Sequence, residues 1–345
     1  MTAASRTRRA SLWLASLAGA AVLLALAAQR VDLWPRELHL PRPGLLALAA
    51  ALHVPYSLAR SLRLRYALDP RVRAATGDPS ARVPRDLLYG SGLLANLVIL
   101  LLPLRLGELT RPLLLARAGV PGLGLPEAVA GVASERVVDG LLVVGLLLLG
   151  LAYAAHHGPG FWASSADTLQ IGRGMGLIFV AMLVGLATLA LAPPPWLTRL
   201  TALSPDRFAH FILQLAATLR DLARPRSGLP LVLWSLVYWA LTVLQSWLVL
   251  HACGLELGLA EAAAVVAVVG LSIQLPGGPA QVGSYQVGGA VAMSLFLPVE
   301  DLQGPGSSFI AVSFLLGLLG AAALALPGAW LMAQTRPQPG PADPP

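Results

Sequence analysis

Six ionisable side chains stand where the chain is otherwise apolar. In PLRLGELTRP, residues 103–112, Arg105, Glu108 and Arg111 recur every third position, and in ASERVVDG, residues 133–140, Glu135 and Asp139 lie one turn apart with Arg136 beside them. Such spacings bring each set near one face of a helix. A charge near the centre of a bilayer costs about 2.5–3.5 kcal/mol, so six of them unpaired would cost about 15–20 kcal/mol, more than a typical domain's whole stability. They must therefore be mutually paired or hydrated, and their formal charges cancel. One outcome is a buried ion-pair network that fixes helix packing. The other is a polar cavity in which arginines meet a phosphate and carboxylates meet a cationic or hydroxylated group. The sequence favours the cavity, because apolar packing could replace a wholly structural network at little cost.

A second stretch, QLPGGPAQVGSYQ, residues 274–286, breaks helix without carrying charge. Pro276, Gly277, Gly278, Pro279 and Gly283 leave backbone N–H and C=O groups free, which is tolerable at membrane depth only where they line a cavity or pack on protein. Gln274, Ser284, Tyr285 and Gln286 add neutral hydrogen-bonding groups. The alternative is a plain kink between packed helices. Catalytic patterns are missing: there is no nucleophile elbow, phosphate loop or zinc motif. The single Cys253 excludes an intramolecular disulfide and a cysteine metal cluster. His156 and His157 read as a solvated turn, and nothing in the spacing makes Glu108 and Glu135 converge on one substrate atom as acid and base. No catalytic residue, metal or cofactor is expected, and no nucleic-acid partner.

These groups must be positioned by membrane helices. Of the 345 residues, 56% are hydrophobic and 12% charged, against roughly one-quarter charged in soluble domains. Mean hydropathy is +0.71. Apolar runs approaching the about 20 residues of a spanning helix, with no recurrent alternation of strand period, favour helices over a barrel. The expected fold is an all-α polytopic membrane protein with about 8 to 9 hydrophobic segments: 12–28, 44–59, 87–102, 126–155, 175–192, 229–252, 258–275, 280–297 and 309–333. Residues 11–333 form a single transmembrane domain, 1–10 a cytoplasmic N-terminus and 334–345 a proline-rich disordered tail. The stretch 205–222 reads as an amphipathic helix lying in the interface.

Arginine sets the orientation. The stretch 60–85 holds seven arginines and 199–226 holds five, whereas 253–257 and 298–308 hold none. The positive-inside rule then places both termini and the two arginine-rich loops in the cytoplasm. With that assignment, 87–102 and 106–118 form a hairpin entering from the cytoplasm, its tip PLRLGE. The segments 258–275 and 280–297 form a second hairpin from the opposite side. Paired, Gly/Pro-interrupted segments in the two halves point to a transporter binding site near the midplane. Both hairpins are expected to be broken or re-entrant, although their lengths also admit full crossings.

The run NLVILLLPLRLGELTRPLLLARAGV, followed by EAVAGVASERVVDGLLVV, resembles the membrane domain of lysylphosphatidylglycerol synthases and their stand-alone flippase-like relatives. The matching pattern is Asn96, Pro103, Arg105, Gly107, Glu108 and Arg111, then Glu135, Arg136 and Asp139. LPGGPAQVGSYQ resembles the family's second motif through Pro276, Pro279, Gly283 and Tyr285. RSLRLRYAL, with Arg63 and Arg65, resembles its early cytoplasmic arginine signature. Two positions depart: Ala280 stands where a glycine is common and Gln286 where many members carry an acidic residue. The family's aminoacyl-transferase domain and the glycosyltransferase domain of some members are absent from this chain.

The resemblance implies an inner- or plasma-membrane protein that translocates a polar or modified (glyco- or aminoacyl) lipid between leaflets, with the first motif as headgroup pathway. Arg63 and Arg65 would attract anionic headgroups at a cytoplasmic entrance. Its partners would be membrane lipids and a separately encoded lipid-modifying enzyme. The alternatives are a membrane-embedded lipid-linked transferase with Glu108 or Glu135 as base, and a non-transporting membrane partner of such an enzyme.

Overall fold

A computed structural model describes residues 3–33, 35, 37–157, 206–275 and 277–335, with scattered positions between 177 and 199. The expected segment 175–192, the proline-rich tail and Pro276 therefore fall wholly or largely outside the described residues, as do the side chains of Pro103, Arg105, His156 and His157. Every described element is helical. In chain order these are α1 (Ala3–Ala28), α2 (Pro43–Leu62), α3 (Arg65–Thr76), α4 (Arg85–Leu101), α5 (Thr110–Arg117), α6 (Leu125–His157), α7 (Asp206–Leu222), α8 (Pro225–Ala252), α9 (Leu259–Ser272), α10 (Ser284–Ser294) and α11 (Ser307–Gln334).

Four helical stretches, Pro43–Thr76, Leu125–Tyr153, Pro225–Ala252 and Leu302–Gln334, are long and apolar enough to cross a membrane. Between them the chain builds two hairpins. After α4, a tight 3₁₀ segment, Pro103–Leu109, turns the chain so that α5 runs back along α4. After α9, an irregular stretch with a 3₁₀ turn at Pro279–Gln281 leads into α10, which packs back on α9. At 1.5 Å per residue the returning limbs α5 and α10 measure about 12 and 16 Å, well short of the about 30 Å hydrocarbon core. The two tips touch each other, and both lie against neighbouring elements of α1 and α4.

Glycine makes the first tip possible. A Cβ on Gly107 would lie 2.4 Å from the Val98 carbonyl oxygen and 2.5 Å from Ile99 Cα, so only a residue without a side chain lets the 3₁₀ segment fold onto α4. The second tip needs glycine differently: Gly283 has φ +89° and sits beside the Ala20 carbonyl of α1. Its N–H donates to Gln286 Oε1 at 2.7 Å, which caps the start of α10. Ser16 of α1 donates to the Gly277 carbonyl at 2.9 Å, satisfying one of the backbone acceptors that the broken helix frees.

One expectation is corrected. The stretch 60–85, expected as a loop from its arginines, is helical through Thr76, because Arg60 and Arg63 find partners on neighbouring helices and so need not leave the helical body. The amphipathic helix α7 packs on α3, α6 and α8, with Ala216 and Thr218 buried. Arg71 of α3 ties it down, through Thr218 Oγ1 at 3.2 Å and Asp221 at 3.3 Å.

Candidate functional site

The charged residues converge around Arg63, in the two-residue link between α2 and α3. Arg63 is fully buried. Its Nε donates to Glu135 Oε1 at 2.6 Å, its Nη2 to Asp139 Oδ2 at 2.6 Å, and its Nη1 to Asp139 Oδ1 and to Ser235 Oγ at 3.2 Å. The guanidinium also lies 4.5 Å from the centroid of the Tyr238 ring, a cation–π contact. Glu135 uses its second oxygen for Arg111, whose Nη1 donates to Oε2 at 3.1 Å while its Nη2 donates to the Ser61 carbonyl at 2.8 Å. The Trp239 indole N–H donates to Asp139 Oδ1 at 3.1 Å. Arg136 is more loosely held, its Nη1 standing 3.7 Å from Asp139 Oδ2.

The helical period explains the placement. Glu135 and Asp139 occupy successive turns of one face of α6, so both reach the same guanidinium. Arg63 reaches them because α3 packs on α6 while α2 and α3 both pack on α8. Removing one member of such a buried set leaves an uncompensated charge.

Two cavities meet at this network. The larger, about 420 Å³, is lined by residues of both hairpins and of the spans between them, among them Asn96, Arg136, Asp139, Gln274, Ala280, Gln281 and Tyr285, with His53 and Arg60 from α2. The smaller, about 20 Å³, is lined by Glu108, Arg111, Glu135 and Gly92. Arg60, Asn96 and Arg136 belong to both linings. The larger cavity is mixed in chemistry. Its lining combines charged Arg60, Arg136 and Asp139 with apolar Val265, Val266, Val269, Leu271 and Leu316.

Of the residues singled out in the sequence, Asn96, Glu108, Arg111, Glu135, Arg136 and Asp139 are brought together around the two cavities. Gly107 shapes the first tip. From the second stretch, Gln274 and Tyr285 face the larger cavity. Gly277, Gly283 and Gln286 instead build the tip, and a Cβ on Gly278 would press on Ala20 Cβ at 2.8 Å. Pro279 opens the 3₁₀ turn.

Arg63, expected to attract headgroups at a cytoplasmic entrance, is buried inside the network, where two carboxylates one turn apart on α6 engage its guanidinium. Arg65 lies outside the network: its Nε donates to Asp69 at 3.3 Å and its guanidinium lies over Tyr66.

Sequence reasoning missed Arg60, Ser235, Tyr238 and Trp239. The signal was present on α8, where Ser235, Tyr238, Trp239, Thr242 and Gln245 recur every three to four residues as a polar stripe along an otherwise apolar helix. Because none of these residues is charged, they do not stand out from composition.

Comparison with known families decides the relationship. A family model described as the lysylphosphatidylglycerol synthase TM region matches residues 13–305, most of the chain. The chain belongs to that family. The match takes in both hairpins, the arginine link and the whole charged network, and it identifies a multi-pass membrane domain related to membrane-lipid function. No curated protein and no solved structure matches the chain.

Proposed function

We propose that this membrane domain moves a polar or modified lipid between the two leaflets, with the headgroup passing through the larger cavity. The observation that supports this most directly is the cavity itself. A space of about 420 Å³ lined by both charged and apolar side chains suits an amphiphile, and it is framed by two hairpins whose tips meet. Ligand sites at broken helices are the membrane counterpart of helix-terminus sites in soluble proteins. The arginine distribution supports placement in the cell's inner or plasma membrane with both termini cytoplasmic. A separately encoded lipid-modifying enzyme would supply the lipid.

A transferase with Glu108 as base fits less well. Glu108 lines the smaller cavity, whose about 20 Å³ accommodates a single water rather than a lipid-linked donor.

The test is leaflet exchange of fluorescent phospholipids and aminoacyl lipids in proteoliposomes, comparing the wild type with Arg136→Gln. Arg136 is suited to this because its ion pair is loose, so its loss leaves the tight Arg63 contacts in place. Exchange by the wild type and a clear loss in the variant supports translocation. No exchange by well-folded wild-type protein rejects it.

A further inference from the structure

We infer that Arg60, Asn96 and Arg136 form an anion subsite at the junction of the two cavities, and that it takes the phosphate of an anionic lipid headgroup in preference to a headgroup bearing an ammonium. This rests on the larger cavity being the headgroup path. Asp139 is the acidic residue lining the larger cavity, Glu135 lines the smaller, and both are already engaged. Both oxygens of Glu135 accept from arginines, and the two oxygens of Asp139 accept from Arg63 and Trp239. Glu108 lines only the smaller cavity, which is too small for a headgroup. An incoming ammonium would therefore find no open carboxylate in the larger cavity and would face two guanidinium groups.

Donors, by contrast, remain open. Among the described residues Arg60 has no carboxylate at ion-pair distance, its Nη1 donating to the neutral Asn96 Oδ1. Arg136 holds its carboxylate only at 3.7 Å, and its Nε is buried without a hydrogen-bond partner. Arg111, nine-tenths buried at its side chain, likewise has an unpartnered Nε. Buried donors left open beside a cavity are costly unless something fills them. Around the two cavities, Arg60, Arg63, Arg111 and Arg136 stand against Glu108, Glu135 and Asp139, which leaves one positive charge in excess among the described side chains. Guanidinium groups suit phosphate geometry, and Asn96 orients one of them.

The experiment uses the full chain in nonionic detergent. Quenching of tryptophan fluorescence by lipids with brominated acyl chains reads binding of phosphatidylglycerol, its lysylated form and diacylglycerol, with inorganic phosphate as competitor. Phosphatidylglycerol should bind at least about tenfold tighter than either of the others, and Arg60→Gln should remove that preference by about tenfold or more. Arg60→Lys should restore part of it. Arg42→Gln, at an exposed ion pair with Glu256 far from the cavity, should change nothing.

If Arg60→Gln fails to fold, Asn96→Asp is the second variant. It would pair Arg60 in place and should weaken phosphatidylglycerol by a similar factor. Equal binding of the three lipids, or an unchanged preference in both variants, overturns the subsite. Displacement by inorganic phosphate at concentrations equal to the lipid assigns the site to a free anion and overturns the lipid assignment. Selective binding without leaflet exchange would keep the subsite and reject translocation, whereas exchange blind to headgroup charge would do the reverse.

Discussion

Arg63 and Asp139 meet edge to edge: Nη1 donates to Oδ1 and Nη2 to Oδ2, the second at 2.6 Å, joining the α2–α3 link to the middle of α6. This is the bidentate geometry that makes arginine–carboxylate pairs both strong and directional. Glu135 extends it to α5 through Arg111, and Trp239 extends it to α8. The arrangement holds four segments at fixed distances and leaves Arg60 and Arg136 facing the larger cavity.

Arg63→Met should therefore be severely destabilising. It leaves Glu135 and Asp139 buried with fewer counter-charges, a situation that costs about 3–5 kcal/mol. Thermal melting of the purified protein in detergent reads the loss. A wild-type melting temperature would mean that the carboxylates are adequately served by Arg111 and Arg136 alone.

Trp239→Phe keeps an aromatic ring, though a smaller one, and removes one donor. The expected cost is about 1–2 kcal/mol, since the acceptor is a charged carboxylate that retains Arg63. The cost of Trp239→Phe should shrink in an Asp139→Asn background, and the difference between the two backgrounds is the coupling energy.

Gly107→Ala tests the first tip. The new methyl would meet the backbone of α4 at Val98 and Ile99, which cannot swing away as a side chain could. A cost of about 1–3 kcal/mol is expected, together with faster proteolysis between α4 and α5. Equal proteolysis rates in wild type and variant would show that the tip has room to open.

Ala280→Gly tests the second tip in the opposite direction. Ala280 has φ +57° and Gln281 φ +61°, a left-handed pair that L-residues adopt at a cost of about 1–2 kcal/mol each. Glycine at 280 should raise stability by about 1 kcal/mol, after the greater freedom of glycine in the unfolded chain offsets part of the relief. A fall in melting temperature would mean that the methyl contributes packing beyond its strain.

Much of the architecture can be read from hydropathy and punctuation. The broken character of both hairpins follows from the glycines and prolines at residues 103–112 and 274–286, and the structure turns the chain at both. Glu135 and Asp139 are legible as partners because helix period alone puts them on one face. Arg63 is not: its side chain meets residues that lie 72 and 76 positions away, and no local pattern encodes that distance. Its placement among other arginines makes it look like part of a solvated loop. Arg60 is hidden for the same reason, although it lines both cavities. The departure at Gln286 also becomes clear only in three dimensions, because its amide oxygen caps α10 in the way an acidic side chain would.

The clasp around Arg63 also sets an order of events during synthesis. Arg63 precedes Glu135 by 72 residues. At about 5–20 residues per second the arginine leaves the ribosome roughly 4–14 s before its first carboxylate does. An arginine at the centre of a membrane helix is unfavourable by about 2.5–3.5 kcal/mol on insertion scales. The end of α2 must therefore wait at a wet edge of the insertion machinery until α6 arrives, and the bundle closes around that arginine as a late step of biogenesis.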